Sequence, residues 1–137
     1  MSDYDDLTQE RDAALARDFA DVARQLRRAF REWIQEEVKD LATKAGCLEP
    51  LLEGVLKKNM QGTIGRIKDI DRDELREATL SLEQKIGAID DGVYDSLLDA
   101  RRHLEEGVSR LEGLVRELLS IRRDVDSLLE AHTRSEE

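Results

Sequence analysis

The chain has 137 residues, the size of one domain, and 39% of them are charged while only 4% are aromatic. This composition, with a single proline, is typical of long amphipathic helices and disfavours a compact α/β enzyme. The net charge of −10 repels nucleic acid and anionic membrane surfaces, and the single cysteine excludes a disulfide within the chain.

The first long element is predicted to follow a short polar segment. Residues 1–6 are polar and acidic, and we expect them to form a frayed N-terminus. From residue 7 to Ala45 no glycine or proline interrupts the chain, which predicts one helix of about 40 residues. Its apolar stripe begins with the row Leu15, Phe19, Val22, Leu26, Ala29 and Trp33. A second row then takes over, with Phe30, Ile34, Val38, Leu41 and Ala45. The apolar face is widest around Phe30, Trp33 and Ile34, where we expect the most contacts.

The clearest break in the sequence follows this helix. Gly46 suits a helix C-cap, and Pro50 suits the first turn of the next helix. We interpret Cys47 as a small buried hydrophobe, because no histidine or second cysteine is spaced to activate it. Residues 51–70 then show a second helical stripe, made of Leu52, Leu56, Met60, Ile64 and Ile67.

Two further positions can end a helix. Asp71 and Glu74 have the spacing of a capping box, although no glycine or proline forces a stop there. Residues 90–92 read Asp-Asp-Gly, yet the apolar stripe stays in register across them. We favour a turn at residues 90–92, because it divides the chain into three helices of about 40 residues that can bury their stripes against one another. The alternative is a long helical hairpin whose final helix has about 60 residues and forms an oligomeric coiled coil.

The most regular pattern lies in the last third of the chain. Apolar residues recur there at alternating steps of three and four, which defines a heptad seam. The heptad seam comprises Leu111, Leu114, Leu118, Ile121, Val125 and Leu128. The sequence therefore predicts an all-α fold, an elongated up-down-up three-helix bundle with coiled-coil-like packing. We expect one domain over residues 7–132 and a polar tail over residues 133–137.

The polar clusters give little indication of chemistry. His103 has Asp99 and Glu106 at helical spacing, but the motif has no second copy, so we interpret it as a solvated surface histidine and predict no metal and no cofactor. No serine, histidine and acidic residue are spaced for nucleophilic catalysis, and we predict no enzymatic activity. A basic cluster on the first helix comprises Arg24, Arg27, Arg28 and Arg31. Its simplest interpretation is a polar helix face paired with acidic neighbours.

From these patterns we predict a non-enzymatic interaction or assembly module that self-associates, or binds another helical protein, through apolar surface that one copy cannot cover. The predicted interface comprises Phe30, Trp33, Ile34, Leu111, Leu114, Leu118, Ile121, Val125 and Leu128. The alternative is a helical protein that binds phosphate or an anionic membrane surface through its arginine face at residues 24–31. We expect a cytoplasmic protein, because the sequence shows no signal peptide and no apolar run long enough to cross a bilayer.

Overall fold

The computed structural model describes the backbone of residues 2–136 and the side chains of residues 7–135. Over that range the chain is an all-α helical bundle without a strand, which confirms the predicted fold class. Its helices are α1 (Ser2–Leu48), α2 (Gly54–Asp69), α3 (Leu75–Asp90) and α4 (Leu97–Glu136). A short 3₁₀ turn (Glu49–Leu51) follows α1, and a π-helical turn (Ile70–Glu74) joins α2 to α3.

The helices are longer at both ends than the sequence indicates. Helix α1 begins at Ser2, within the segment that we expected to be frayed. Helix α4 continues to Glu136, through most of the predicted polar tail, where Thr133, Arg134 and Ser135 are exposed. Met1 and Glu137 lie outside the described residues. No helix in the described part of the chain has a segment long and apolar enough to span a bilayer.

Contacts divide the chain into two compact units. Unit 1 comprises Met1–Phe30 and Glu77–Glu112, and unit 2 comprises Arg31–Arg76 and Gly113–Glu137. Helices α1 and α4 therefore contribute to both units, while α2 belongs to unit 2 and α3 falls almost entirely in unit 1.

In unit 1, ion pairs show how the helices run. Arg24 and Arg27 on α1 pair with Asp90 and Glu83 on α3, so the two helices are antiparallel. Helix α3 is in turn antiparallel to α4. Lys85 Nζ lies 3.5 Å from Glu106 Oε2, and Gly107 of α4 packs directly on Leu82 of α3. The buried apolar side chains of this unit include Ala20, Ala23, Leu82, Ile86, Ala100 and Leu104.

Unit 2 has a larger apolar core with charged residues at its edge. Its fully buried side chains include Ile34, Leu41, Leu52, Met60, Ile70, Leu118 and Ile121. At the edge, Arg66 Nη1 of α2 lies 2.6 Å from Asp124 Oδ2 of α4, and Arg122 Nε lies 2.9 Å from the buried Glu37 Oε1. These ion pairs link α2 to α4 and α1 to α4.

The first break in the chain comes later than predicted. Helix α1 continues through Gly46 to Leu48, and Pro50 lies in the 3₁₀ turn that follows it. The connection to α2 runs through the extended residues Leu52 and Glu53 to Gly54, whose φ of 59° is a left-handed conformation that costs glycine little. The prediction of a C-cap at Gly46 was wrong. Helix α1 continues past Gly46 because the longer helix and the 3₁₀ turn after it place Leu48 and Leu52 in the core.

The second break lies where the sequence predicts it. The chain stays helical from α2 through the π-helical turn into α3, so Asp71 does not begin a new helix after a stop. Helix α3 ends in a Schellman motif at Gly92 (φ 69°), in which Val93 N–H donates to Ala88 O and Gly92 N–H donates to Ile89 O. The side chain of Ser96 then caps α4 by accepting a hydrogen bond from Asp99 N–H. This turn excludes the final helix of about 60 residues.

Candidate functional site

The predicted interface residues are for the most part core residues of a single copy. Phe30 and Trp33 are half-buried. The other seven are buried, namely Ile34, Leu111, Leu114, Leu118, Ile121, Val125 and Leu128. Side chains that one copy already covers present no surface to a partner, so the assignment of the heptad seam to an interface is corrected: the seam belongs to the core.

A cluster of uncovered apolar side chains lies on α1 in unit 1. There the helix turns Ala20 and Ala23 into the core, while Phe19, Val22 and Leu26 stay 40%, 52% and 39% exposed. Small side chains let neighbouring helices approach closely, which explains why the alanine row and not the larger row faces inward. The larger row was predicted as the inward stripe, and that prediction was wrong for this part of the helix.

These exposed side chains form one wall of a groove between α1 and α4. The groove has a volume of about 530 Å³ and is lined by Phe19, Val22, Ala23, Leu26, Arg101, Leu104, Glu105, Val108 and Glu112. Buried Ala23 and Leu104 form its floor, and half-buried Val108 lies opposite the α1 wall. The result is an open apolar channel bounded by two helices of unit 1.

The charged residues of the groove lie on α4. Arg101 Nε is 2.9 Å from Glu105 Oε1, so these two charges neutralise each other. Glu112 has no ion-pair partner in the part of the chain that the structure describes. Unit 1 also carries most of the net negative charge of the chain. The groove therefore combines an apolar floor with a rim on which Glu112 is the carboxylate without an ion pair among the described residues.

Sequence reasoning missed this groove although part of its signal was visible. The positions Leu15, Phe19, Val22 and Leu26 follow steps of four, three and four, which is the spacing of a coiled-coil seam. On the α4 wall, Leu104 and Val108 continue the apolar row of the heptad seam, while the charged residues of this wall resemble any solvated face. The pairing of the two walls depends on tertiary structure.

Two of the four arginines of the basic cluster form ion pairs with acidic residues of the same copy. Arg24 lies 2.6 Å from Asp21 and also pairs with Asp90, while Arg27 pairs with Glu83. Arg28 and Arg31 are exposed, and neither has an ion pair among residues 7–135. Arg24 therefore pairs both within α1 and with α3, and Arg27 pairs with α3. This is the behaviour expected of a polar helix face.

The remaining candidates do not converge on a reactive site. His103 is half-buried and not solvated as expected: its ring centroid is 4.6 Å from that of Tyr94, and Nδ1 lies 2.9 Å from the Asp99 carbonyl oxygen. Burial raises the pKa of the Tyr94 hydroxyl, and the Glu106 carboxylate adds to the effect. Cys47 is exposed, contrary to the buried role predicted for it. Within the described residues, no three His, Cys, Asp or Glu side chains form a metal-ligating group.

Comparison of the chain with protein-family models, with curated proteins and with solved structures finds no match.

Proposed function

We propose that this protein is a non-enzymatic interaction module that binds an amphipathic helix in the groove of unit 1. The helix is supplied by another protein or by a second copy of the chain. The observation that carries the proposal is the exposed row Phe19, Val22 and Leu26 beside Val108, above the buried floor of Ala23 and Leu104.

The shape of the groove favours a helix over other ligands. Unit 1 contains three helical segments, and a fourth helix laid between α1 and α4 completes a four-helix bundle. The steps of three and four residues along α1 match the ridges of a partner helix packed at a shallow angle. In helix-in-groove binding of this kind, apolar side chains of the partner helix, spaced about one helical turn apart, insert into the groove.

The energetics favour a reversible complex. Burying a large apolar side chain contributes about 1.5–3 kcal/mol when it starts fully exposed, and these three start about half exposed. Association costs about 4 kcal/mol or more in lost translational and rotational freedom. The partner's own apolar stripe has to supply the remainder, so we expect micromolar affinity for a short helix.

The alternative of a phosphate- or membrane-binding arginine face has weaker support. Two of its four arginines, Arg24 and Arg27, are engaged by carboxylates of the same copy. An incoming anion has to compete with those carboxylates and with a net charge of −10. A cytoplasmic location is part of the proposal, because a reducing compartment keeps a lone exposed thiol such as Cys47 free.

The test uses a fluorescent designed peptide with leucine at heptad positions and glutamine on its flanks. Fluorescence anisotropy measures its binding, and light scattering measures the mass of the protein alone. We expect either peptide binding or self-association at micromolar concentration, and loss of both in the double variant Val22→Glu/Leu26→Glu, because two carboxylates cannot be buried beside Leu104.

The matched control is Leu98→Glu, which changes an α4 leucine that is 64% exposed and does not line the groove. This variant should bind the peptide as the wild type does, and circular dichroism should show that every variant keeps its helix content. A wild-type protein that neither binds the peptide nor self-associates contradicts the proposed function.

A further inference from the structure

We infer that the natural occupant of the groove is a basic amphipathic helix of a different protein, with lysine or arginine beside its apolar stripe. The inference rests on the proposed function and adds the chemistry of the partner. It depends on the charges around the groove, because the apolar lining alone does not select the charge of the partner.

The rim of the groove favours a positively charged flank. Arg101 and Glu105 pair with each other, which leaves Glu112 as the charged lining residue without an ion pair among the described residues. A lysine or arginine on the occupant can reach Glu112 when its apolar stripe lies on Leu104 and Val108. Because most of the chain's net negative charge belongs to unit 1, the same positive flank is also attracted before contact.

The same charges disfavour a second copy as occupant. A second copy brings another net charge of −10, most of it in the same unit that carries the groove. Like charges on both surfaces slow the encounter and weaken the complex at low salt.

The experiment compares two peptides with the same heptad leucines, one flanked by lysine and arginine and the other by glutamate. Anisotropy titrations at low salt should give at least about tenfold tighter binding of the basic peptide, and the ratio should approach one near 0.5 M salt because counterions screen exposed charges. Glu112→Lys should reduce the low-salt ratio at least about threefold.

Glu130→Lys is the matched control for net charge. It changes the charge of the chain by the same amount on the same helix, but Glu130 lies in unit 2 and does not line the groove. We expect it to leave more of the preference for the basic peptide than Glu112→Lys does. Equal effects of the two variants would show that net charge and not the rim selects the ligand, and would overturn the role assigned to Glu112.

The outcomes separate this inference from the proposed function. Equal binding of both peptides, abolished by Val22→Glu/Leu26→Glu, supports the groove and overturns the basic partner. A stable dimer of the wild type that the same double variant dissociates identifies a second copy as the occupant and also overturns it. Failure of both peptides to bind, with no dimer, contradicts the proposed function itself.

Discussion

At the scale of single residues, Gly107 determines how closely α3 and α4 approach in unit 1. A Cβ atom at this position would lie 2.8 Å from Leu82 Cδ1, 3.3 Å from Lys85 Cδ and 3.4 Å from Leu82 Cα. Leu82 is fully buried, so its side chain has little room to move away. Gly107 is therefore a packing residue, in a helix where glycine is otherwise unfavourable.

We predict opposite effects for two glycine substitutions in α4. Gly107→Ala should lower the free energy of unfolding by about 1–2 kcal/mol, because overpacking against Leu82 outweighs the gain in helix propensity. Gly113→Ala is the control, since the nearest atom to its added Cβ is Arg116 Nη2 at 3.9 Å. It should raise the free energy of unfolding by up to about 1 kcal/mol. Urea denaturation followed by circular dichroism measures both, and equal stabilisation by the two variants would show that α3 and α4 are not in close contact.

At the scale of elements, the end of α1 shows how burial overrides a local signal. Gly46 followed closely by Pro50 is the usual signature of a helix end. The helix nevertheless continues, because stopping at Gly46 would leave Leu48 and Leu52 outside the core. The glycine that needs its special conformation is Gly54, at the start of α2, with a positive φ and open space around the position of a Cβ atom.

This assignment predicts that the two glycines respond differently to alanine. Gly46→Ala should stabilise the protein by up to about 1 kcal/mol, because Gly46 is helical and nothing lies within 4 Å of an added Cβ. Gly54→Ala should destabilise it by about 1–2 kcal/mol, because alanine is strained in the left-handed conformation. Thermal and urea unfolding provide the measurements. A destabilising Gly46→Ala would indicate that α1 ends at the residue first predicted.

At the scale of the whole molecule, the apolar side chains of the heptad seam are buried within one copy, without a partner. Leu111, Leu118 and Ile121 are fully buried in one copy, so the apolar surface that needs a partner is confined to the described groove and to scattered exposed side chains. A coiled-coil pattern in the sequence indicates that a helix packs along that face. It does not distinguish packing within a chain from packing between chains.

We therefore expect Leu118→Ala to unfold the protein more easily and not to dissociate it. Removal of this fully buried side chain should lower the free energy of unfolding by about 2–5 kcal/mol. Leu129→Ala, in the same helix and 48% exposed in the wild type, should cost less than about 1 kcal/mol. Urea midpoints measured at two protein concentrations test both. If Leu118→Ala changes the mass seen by light scattering without changing the unfolding midpoint of the monomer, the seam is an interface after all.

Much of the fold could be read from the sequence, because helix periodicity, caps and turns are local properties. The apolar rows through Ile34, Leu41 and Leu118 follow from spacing alone, whereas the turn at residues 90–92 is favoured because it gives three helices of similar length. The candidate site could be read only in part. Leu15, Phe19, Val22 and Leu26 form a visible row, but nothing local shows that Ala20 and Ala23 face the core in their place.

The amino-acid sequence by itself determined that this chain is helical, that residues 90–92 are one of two places where a turn can form and which side chains of the heptad seam are apolar. The tertiary structure decided that the chain turns at residues 90–92, which of two adjacent rows on α1 is buried and which carboxylates engage Arg24 and Arg27. The physical reason is distance. Periodicity depends on residues within one or two helical turns, whereas the rotation of a helix depends on how closely neighbours far apart in sequence can approach it.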